Sequence, residues 1–566
     1  MASRDSDSSL SSAAAEASPR PSATLAVVRD APGGLEVLLL QRSERGDENS
    51  GAWVFPGGMV EPGDMAAGAF SHGLADAEAS ARLAVPNGGL AFYVAAVREC
   101  FEEAGLLYAY DPDGALVSAA QATALSEWRV ILHRGECRLA DFCAAQGLAL
   151  ALDRLAYLSH WVTPAGRAKR FDTRFFVAQA PRGHVALHDA AELVGHRWCR
   201  PADAVAPDSG LKLITPTRKT LELLARFQDV QALMAWARAP REVPCMLPRL
   251  ATGAHGPKPV VPGDPAYAEL ARIDPHGRGD GRYDIVPGIA VRLSAHVIRI
   301  TADNGSMMTG PGTNTYLVGG GPRNEWAVID PGPRDDTHVD AIMAAAPGPI
   351  RWILVTHTHQ DHSPAAASLK ALTGAEILGR LAVYPQGQDA GFAPDRLLQG
   401  GERLVLNDSV TLRAVHTPGH ASNHLCYVLE EEKTLFAGDH VMQQSTVVIN
   451  PPDGDMAAYI ASLRALQQED LEWIAPGHGF LMAQPWRVMD GIIAHRLKRE
   501  AKVMQALHHL GPVLEEALLV QVYDDVPQRL HPVAIRSLKA HLAKLADEGR
   551  ARRDGAHWQA ITSSSP

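Results

Sequence analysis

The sequence predicts a multidomain α/β protein, on three observations. The chain has 566 residues, and single hydrophobic cores stop growing near roughly 250–300 residues, so two to four domains are expected. Its composition, 46% hydrophobic and 21% charged residues, is that of globular domains. Short apolar runs alternate with helical stretches through the second half, which is an α/β pattern.

Composition also excludes several classes. No apolar run approaches the roughly 20 residues that span a bilayer, so no membrane partner is expected. The net charge of −11 argues against non-specific coating of nucleic acid. The cysteines, Cys100, Cys137, Cys143, Cys199, Cys245 and Cys426, form no CxxC pair. That pattern fits reduced thiols in a cytoplasmic protein rather than a disulfide scaffold. Residues 1–21 are rich in Ser and Ala and lack the apolar core of a signal peptide, which predicts a disordered tail.

The first folded segment opens on two strand-like runs, Thr24–Asp30 and Leu35–Gln41. The turn Ala31-Pro-Gly-Gly34 between them predicts a hairpin. Folded structure continues past Trp198 to a helix near Thr217–Arg226. Residues 244–284 are dense in Pro, Gly and Asp and read as a linker with little core of its own. A second folded segment starts at Ile285. Its strands include Trp326–Asp330, Trp352–Thr356, Thr434–Gly438 and Trp473–Ala475, with helices near Ala366–Leu372 and Ala457–Gln468.

His357, His359, Asp361 and His362 lie within six residues, directly after the apolar run Ile353–Val355. Alternation in an extended start sends His357 and His359 to one side. A turn can then bring Asp361 and His362 to a second metal. Imidazole plus carboxylate suits zinc and similar divalent ions. Three more strand ends repeat the theme with His420, Asp439 and His478, each after a turn of small residues that allows close backbone approach. Four such ends predict one bimetal pocket. Two ions there would acidify a water and stabilise charge on a carbonyl or phosphoryl oxygen. His416, His424 and His440 are expected to support the ligands or face substrate.

The spacing His-x-His-x-Asp-His, then Thr417-Pro-Gly-His420, Gly438-Asp439 and Pro476-Gly-His478, resembles the metallo-β-lactamase superfamily. The resemblance implies that His357, His359 and His420 hold one metal and Asp361, His362 and His478 the other, with Asp439 bridging. The segments Met307–Val318, Gly438–Thr446 and Pro451–Asp455 are similar to the β-lactamase-like protein 2 group, over roughly residues 285–560. Some members of that group are endoribonucleases acting on single-stranded RNA, which makes RNA a candidate substrate.

Beyond His495, helices, a turn at Leu530-His-Pro532, a helix over Val533–Glu548 and a short strand near Trp558 suggest a winged helix. The β-lactamase-like protein 2 group ends in a small domain of this sort. From His495 to Asp554 eleven Lys/Arg face eight Asp/Glu, too small an excess for strong non-specific DNA binding.

In the N-terminal half, Glu99, Glu102 and Glu103 are spaced i, i+3 and i+4, so they share one helical face. Three neighbouring carboxylates repel unless a cation sits among them, and oxygen ligands favour Mg²⁺ or Mn²⁺. Arg98 can orient one of them by a charge-assisted hydrogen bond. Arg98-Glu-x-x-Glu-Glu-x-Gly105 resembles the Nudix box. In the usual box a Glu stands where this chain has Asp64, and here 33 residues separate Asp64 from Arg98. His160–Pro164 and Arg170–Phe176 resemble the branch that includes acyl-coenzyme A diphosphatases. That resemblance implies cleavage of a diphosphate linked to another moiety.

The expected fold is therefore a Nudix α/β/α sandwich (22–243), a linker (244–284), a metallo-β-lactamase αββα sandwich (285–494) and a winged-helix-like domain (495–562). The expected cofactors are two Zn²⁺ in the second half and Mg²⁺ or Mn²⁺ in the first. Asp361, Glu102 and Glu103 are the candidate catalytic carboxylates. The expected substrates are a small-molecule diphosphate, such as a coenzyme A derivative, and an ester. The rival reading pairs a thioester hydrolase with a non-catalytic Nudix module.

Overall fold

A computed structural model describes residues 18–44, 49–187, 193–443 and 445–561. Most of the expected N-terminal tail lies outside these residues, and the first strand already begins at Arg20. The chain divides into two compact units, one over 1–250 with 276–278 and one over 251–275 with 279–566.

The first unit is built on a mixed sheet. The predicted hairpin is present: Arg20–Ala31 pairs antiparallel with Gly34–Arg42, in register Val28 to Val37 and Ala31 to Gly34. Phe171–Gln179 runs parallel to the first strand on its other side. Alternation divides the strand residues between two faces. Leu25, Val27, Leu38, Leu40 and Phe176 pack under the helix Gly89–Ala104, which buries Tyr93, Val97 and Phe101 in the same core. Ala26, Val28, Val37 and Leu39 face the other way and are equally buried. A sheet with two covered faces makes a sandwich. The 33 residues between Asp64 and Arg98 are folded. They carry the helix Asp76–Leu83, and the Asp76 carboxylate accepts from the Gly88 and Leu90 amides where the next helix starts.

The second unit places two sheets face to face. One runs, in neighbour order, Val291–Arg292, Val297–Thr301, Asn314–Gly320, Glu325–Ile329, Ile350–Leu354, Glu376–Gly379 and Arg396–Leu397. The other contains Arg403–Asn407, Val410–His416, Leu425–Leu429, Thr434–Gly438, Trp473–Pro476 and Met482–Ala483. Tyr316, Ile329, Leu354, Leu412, Tyr427 and Phe436 fill the space between the sheets. The alternate residues Leu317, Val328 and Ile353 pack outward under Asp336–Ala345 and Ala366–Thr373. Val428, Leu435 and Ile474 do so under Met456–Leu466. The result is an αββα sandwich, as expected.

Two expected boundaries need correction. Residues 251–275 are not a bare linker. They form strands Arg249–Ala251 and Lys258–Val260 and a helix Tyr267–Ile273. Ala251, Val260, Ala266 and Leu270 bury against Phe480, and buried Glu269 pairs with buried Arg299 at 3.0 Å through its second oxygen. The few apolar positions are spread among Pro and Gly, so no period betrays them. The expected break at 494/495 falls inside one helix, Pro485–Leu510. Met489 and Ile493 pack on the sandwich, while Val503, Ala506 and Leu507 join a terminal core with Leu518, Leu538, Leu542 and Trp558. That core carries helices Glu515–Val522 and His531–Asp547 and a three-stranded wing.

Glu500, on this shared helix, ties the terminal segment together. Its buried carboxylate meets Lys544 at 2.8 Å and Arg550 at 2.6 Å. Burial alone would raise its pKa, but His541, Lys544 and Arg550 beside it outweigh burial and pull the group down to about 2. A carboxylate with a depressed folded pKa contributes stability above its unfolded value and loses it as pH falls through the folded one. The thermal midpoint of Glu500→Gln should therefore lie below wild type near pH 6. The gap should close as pH falls from about 4.5 toward 2, followed by circular dichroism. A gap that stays constant over that window contradicts this account.

Candidate metal centre

The seven residues expected to bind metal come together in two groups. His357, His359 and His420 form one, and Asp361, His362, Asp439 and His478 the other, with the ligand atoms of each group within 4.8 Å of one another. His357 and His362 follow the end of the strand Ile350–Leu354, Asp439 follows Thr434–Gly438, and His478 follows Trp473–Pro476. These are strand ends drawn from both sheets, where backbone amides stop pairing and side chains can converge.

In the first group His359 Nδ1 lies 2.9 Å from His357 Nε2 and 3.1 Å from His420 Nε2. Three imidazole nitrogens aimed at one point suit a shared cation. In the second group His478 Nε2 is 3.1 Å from Asp439 Oδ1, and His362 Nε2 is 3.2 Å from Asp361 Oδ2. His362 Nε2, His478 Nε2 and Asp439 Oδ1 are buried and lack a hydrogen-bond partner. Buried polar atoms are rarely left this way unless something outside the chain satisfies them. Asp439 Oδ2 is turned to the first group, 3.7 Å from His420 Nε2. The donor set, five imidazoles and two carboxylates in two adjacent groups, fits a pair of zinc-like ions.

The protonation states agree with this. Burial, then the neighbouring imidazoles, push His357 well down and His359 to about 3, so both are neutral donors. Burial would also lower His362, but Asp361, Asp439 and Asp330 outweigh it and hold its pKa up. Burial works against Asp361 as well, yet His362 holds it down at about 2.

The second nitrogen of four ligands is fixed by the protein. His362 Nδ1 donates to Asp330 Oδ2 at 2.9 Å. His420 Nδ1 donates to the Val448 carbonyl at 2.8 Å, and His478 Nδ1 to that of Gly312 at 3.1 Å. His357 Nδ1 lies 3.0 Å from Thr356 Oγ1, which itself donates to Asp330 Oδ2 at 2.7 Å. Such contacts set the tautomer and the ring plane of a ligand histidine. Glycine is required at 477, because a Cβ there would lie 2.6 Å from Asp439 Oδ1.

Sequence reasoning missed Asp330, Thr356 and Thr313. Thr313 Oγ1 donates to Asp361 Oδ2 at 3.0 Å. Asp330 ends the strand Glu325–Ile329 in the left-handed region, φ 51°. Its partners Thr356 and His362 lie 26 and 32 positions on, so no local sequence signal marks it. His424 and His440 are fully buried, so neither faces substrate from the surface. His424 stacks on His357 with ring centroids 5.0 Å apart, and His416 bonds the Ser422 carbonyl.

In the first unit the three glutamates lie on the helix Gly89–Ala104, but among the described residues they do not close into a group of three within 4.8 Å. Protein donors hold them instead: Arg98 reaches Glu99 at 3.0 Å and Glu102 at 3.4 Å, and the Gly57 amide donates to Glu103 at 2.8 Å. Asp64 is buried and accepts from Arg98 through both oxygens, at 2.8 and 3.2 Å. It anchors the arginine, whose remaining nitrogen reaches the glutamates. Burial raises Glu99 and pushes Glu102 up to about 7. A buried acidic set of this kind fits a hard cation. A Cβ on Gly58 would strike the Glu99 carboxylate at 2.2 Å, so that approach needs glycine.

Family models place these sites in known company. The model for the metallo-beta-lactamase superfamily matches residues 308–478, and that for the beta-lactamase associated winged helix domain matches 515–558. The NUDIX domain model matches 19–71, and the NUDT19 Nudix domain model matches 68–208. A beta-lactamase-like protein 2 homolog of Drosophila melanogaster is 31% identical over 285 residues, 47% of this chain and 93% of the relative. An atrochrysone carboxyl ACP thioesterase of Aspergillus chevalieri is 30% identical over 276 residues, 45% of this chain and 83% of the relative. Among solved structures, a metallo-beta-lactamase family protein from Thermus thermophilus matches 48% of this chain and 100% of its own at 20% identity and TM-score 0.41. A NUDIX hydrolase from Alicyclobacillus acidocaldarius matches 39% of this chain and 99% of its own at 27% identity and TM-score 0.33.

Replacing Asp330 with Asn keeps the side chain's size and its tolerance of positive φ. It removes the acceptor shared by Thr356 and His362. Zinc affinity of Asp330→Asn, measured by chelator competition, should fall about 10–100-fold with the far-UV spectrum unchanged. Unaltered affinity would show that Asp330 does not support the ligands.

Proposed function

Because this chain belongs to the metallo-β-lactamase superfamily, in the group of β-lactamase-like protein 2, we propose that its second unit hydrolyses an ester with two zinc ions. His357, His359 and His420 hold one ion, and Asp361, His362 and His478 the other. Asp439, whose two oxygens face the two groups, would be the carboxylate shared between them. The convergence of buried, unpartnered donor atoms carries this reading. A bound pair supplies an acidified water and a Lewis acid for the ester oxygen. Asp361 is the more open carboxylate, 25% exposed against 11% for Asp439, and it is steadied by Thr313. It is the group placed to take a proton from the attacking water.

Two esters compete. The sequence resemblance favours the phosphodiester of single-stranded RNA. The relatives named as atrochrysone carboxyl ACP thioesterases favour a carboxyl thioester.

For the first unit we propose a Nudix reaction: cleavage of a diphosphate linked to another moiety, such as a coenzyme A derivative. Glu99, Glu102 and Glu103 would hold Mg²⁺ or Mn²⁺, with Glu102 and Glu103 as the catalytic carboxylates. Arg98, anchored on Asp64, holds Glu99 and Glu102 through one guanidinium nitrogen. The rival reading keeps this unit as a non-catalytic ligand-binding module. The six unpaired cysteines suit a reducing compartment, and on that ground we place the chain in the cytoplasm. No helix of the described residues is long and apolar enough to cross a membrane.

One panel tests the assignment: single-stranded RNA, an acyl thioester and coenzyme A, each with wild type, Asp361→Ala and Glu102→Gln. Asp361→Ala should lower ester cleavage roughly 100-fold or more and spare coenzyme A cleavage. Glu102→Gln should do the reverse. Ester cleavage that survives in Asp361→Ala would overturn the catalytic role of that carboxylate. Coenzyme A left intact by wild type would favour the binding-module reading.

A further inference from the structure

We propose that the metal centre takes a carboxylic ester or thioester with an apolar acyl chain, rather than a polyanion. This rests on the hydrolase reading above and concerns its substrate. Two loops flank the centre, and each is tied to a different ligand group. Segment 303–313 is anchored on the second group, through Thr313 to Asp361 and through the Gly312 carbonyl to His478. Its own hydrogen bonds brace it: Asn304 bonds both the amide and the hydroxyl of Thr313, and Ser306 caps the Met308 and Thr309 amides. Segment 381–392 is anchored on the first group. Gln388 bridges to His359 and accepts from Thr358, and the Val383 amide donates to Ser422, two residues beyond His420.

Both loops hold large apolar side chains out to solvent. Met307 is 65% exposed and Met308 40%, and across the centre Leu381 is 52%, Val383 69% and Tyr384 39% exposed. Single exposed apolar residues need no explanation, but five on the two loops that straddle a reactive centre mark a binding surface.

Charge points the same way. Segments 303–313, 357–365, 381–392, 417–424, 439–455 and 476–481, which surround the ligands, contain no Lys or Arg. They add Asp303, Asp389, Asp453 and Asp455 to the ligand carboxylates. Arg380, next to one of these segments, bonds Gln399 and the Leu398 carbonyl, and Arg334 lies against Gly391. Proteins that thread single-stranded RNA line the path with cations and stacking aromatics. This surround offers neither in number. A neutral acyl chain suits it. Water adds across the acyl–sulfur or acyl–oxygen bond, and the products are a carboxylate and a thiol or alcohol.

The test uses the full chain loaded with zinc. Its metal content is measured first, so that failure of the hydrolase reading is seen separately. The probes are acetyl, hexanoyl and decanoyl thioesters of N-acetylcysteamine, whose thiol is uncharged, and a single-stranded oligoribonucleotide. Each buried methylene adds a few-fold to binding. We expect kcat/KM to rise at least about tenfold from acetyl to hexanoyl, and the RNA to stay intact. The double variant Met308→Ser/Val383→Ser should flatten the rise with its two ions still bound. A zinc-loaded chain that cuts the RNA and ignores chain length overturns the acyl proposal while the hydrolase reading stands. A chain that binds no metal pair overturns both.

Discussion

Everything at the metal centre hangs on one buried carboxylate. Asp330 receives the Thr356 amide at 2.7 Å, the Thr356 hydroxyl at 2.7 Å and His362 Nδ1 at 2.9 Å. Those contacts fix the start and the end of the loop that carries four of the seven ligands. A buried anion is costly unless fully hydrogen-bonded. Here the cost is offset by three donors that all belong to the functional loop. The Val355 to Thr356 step leaves the sheet at the point where Asp330 leaves the neighbouring strand, so fold and site are set by the same contacts. The remaining ligands need only short turns from adjacent strand ends, with Gly477 admitting Asp439.

The two units solve the problem of concentrated charge differently. In the second, imidazoles outnumber carboxylates, and burial itself keeps His357 and His359 unprotonated and ready to donate. In the first, carboxylates dominate, and burial makes their charge expensive, so Glu102 holds its proton up to about neutral pH. Arg98 serves as an internal counter-ion there, and Asp64 keeps its guanidinium in place. A nitrogen-rich cluster and an oxygen-rich one thus share a chain.

The candidate ligand residues are legible in the sequence because ligand chemistry is a matter of residue type at short spacing. His357, His359, Asp361 and His362 declare themselves within six positions, and His420, Asp439 and His478 each follow a strand and a small-residue turn. Supporting groups are harder to read. Nothing in the composition around Asp330 or Thr313 separates them from ordinary polar loop residues, since their partners lie 26 to 48 positions away. The segment 251–275 misleads for a related reason. Its apolar residues follow no period, and their partner, Phe480, is distant in sequence. The helix Pro485–Leu510 reads as two segments because its apolar face serves two cores in turn, so its composition shifts partway while its backbone does not. Asp64 departs from a metal motif by residue type, whereas its burial against Arg98 shows a structural part.

The most direct measurement is anomalous diffraction from crystals of the zinc-loaded chain, recorded on both sides of the zinc absorption edge. The account predicts two peaks in the second unit, one among His357, His359 and His420 and one among Asp361, His362 and His478, with Asp439 between them. A single peak, or peaks away from these residues, would contradict it.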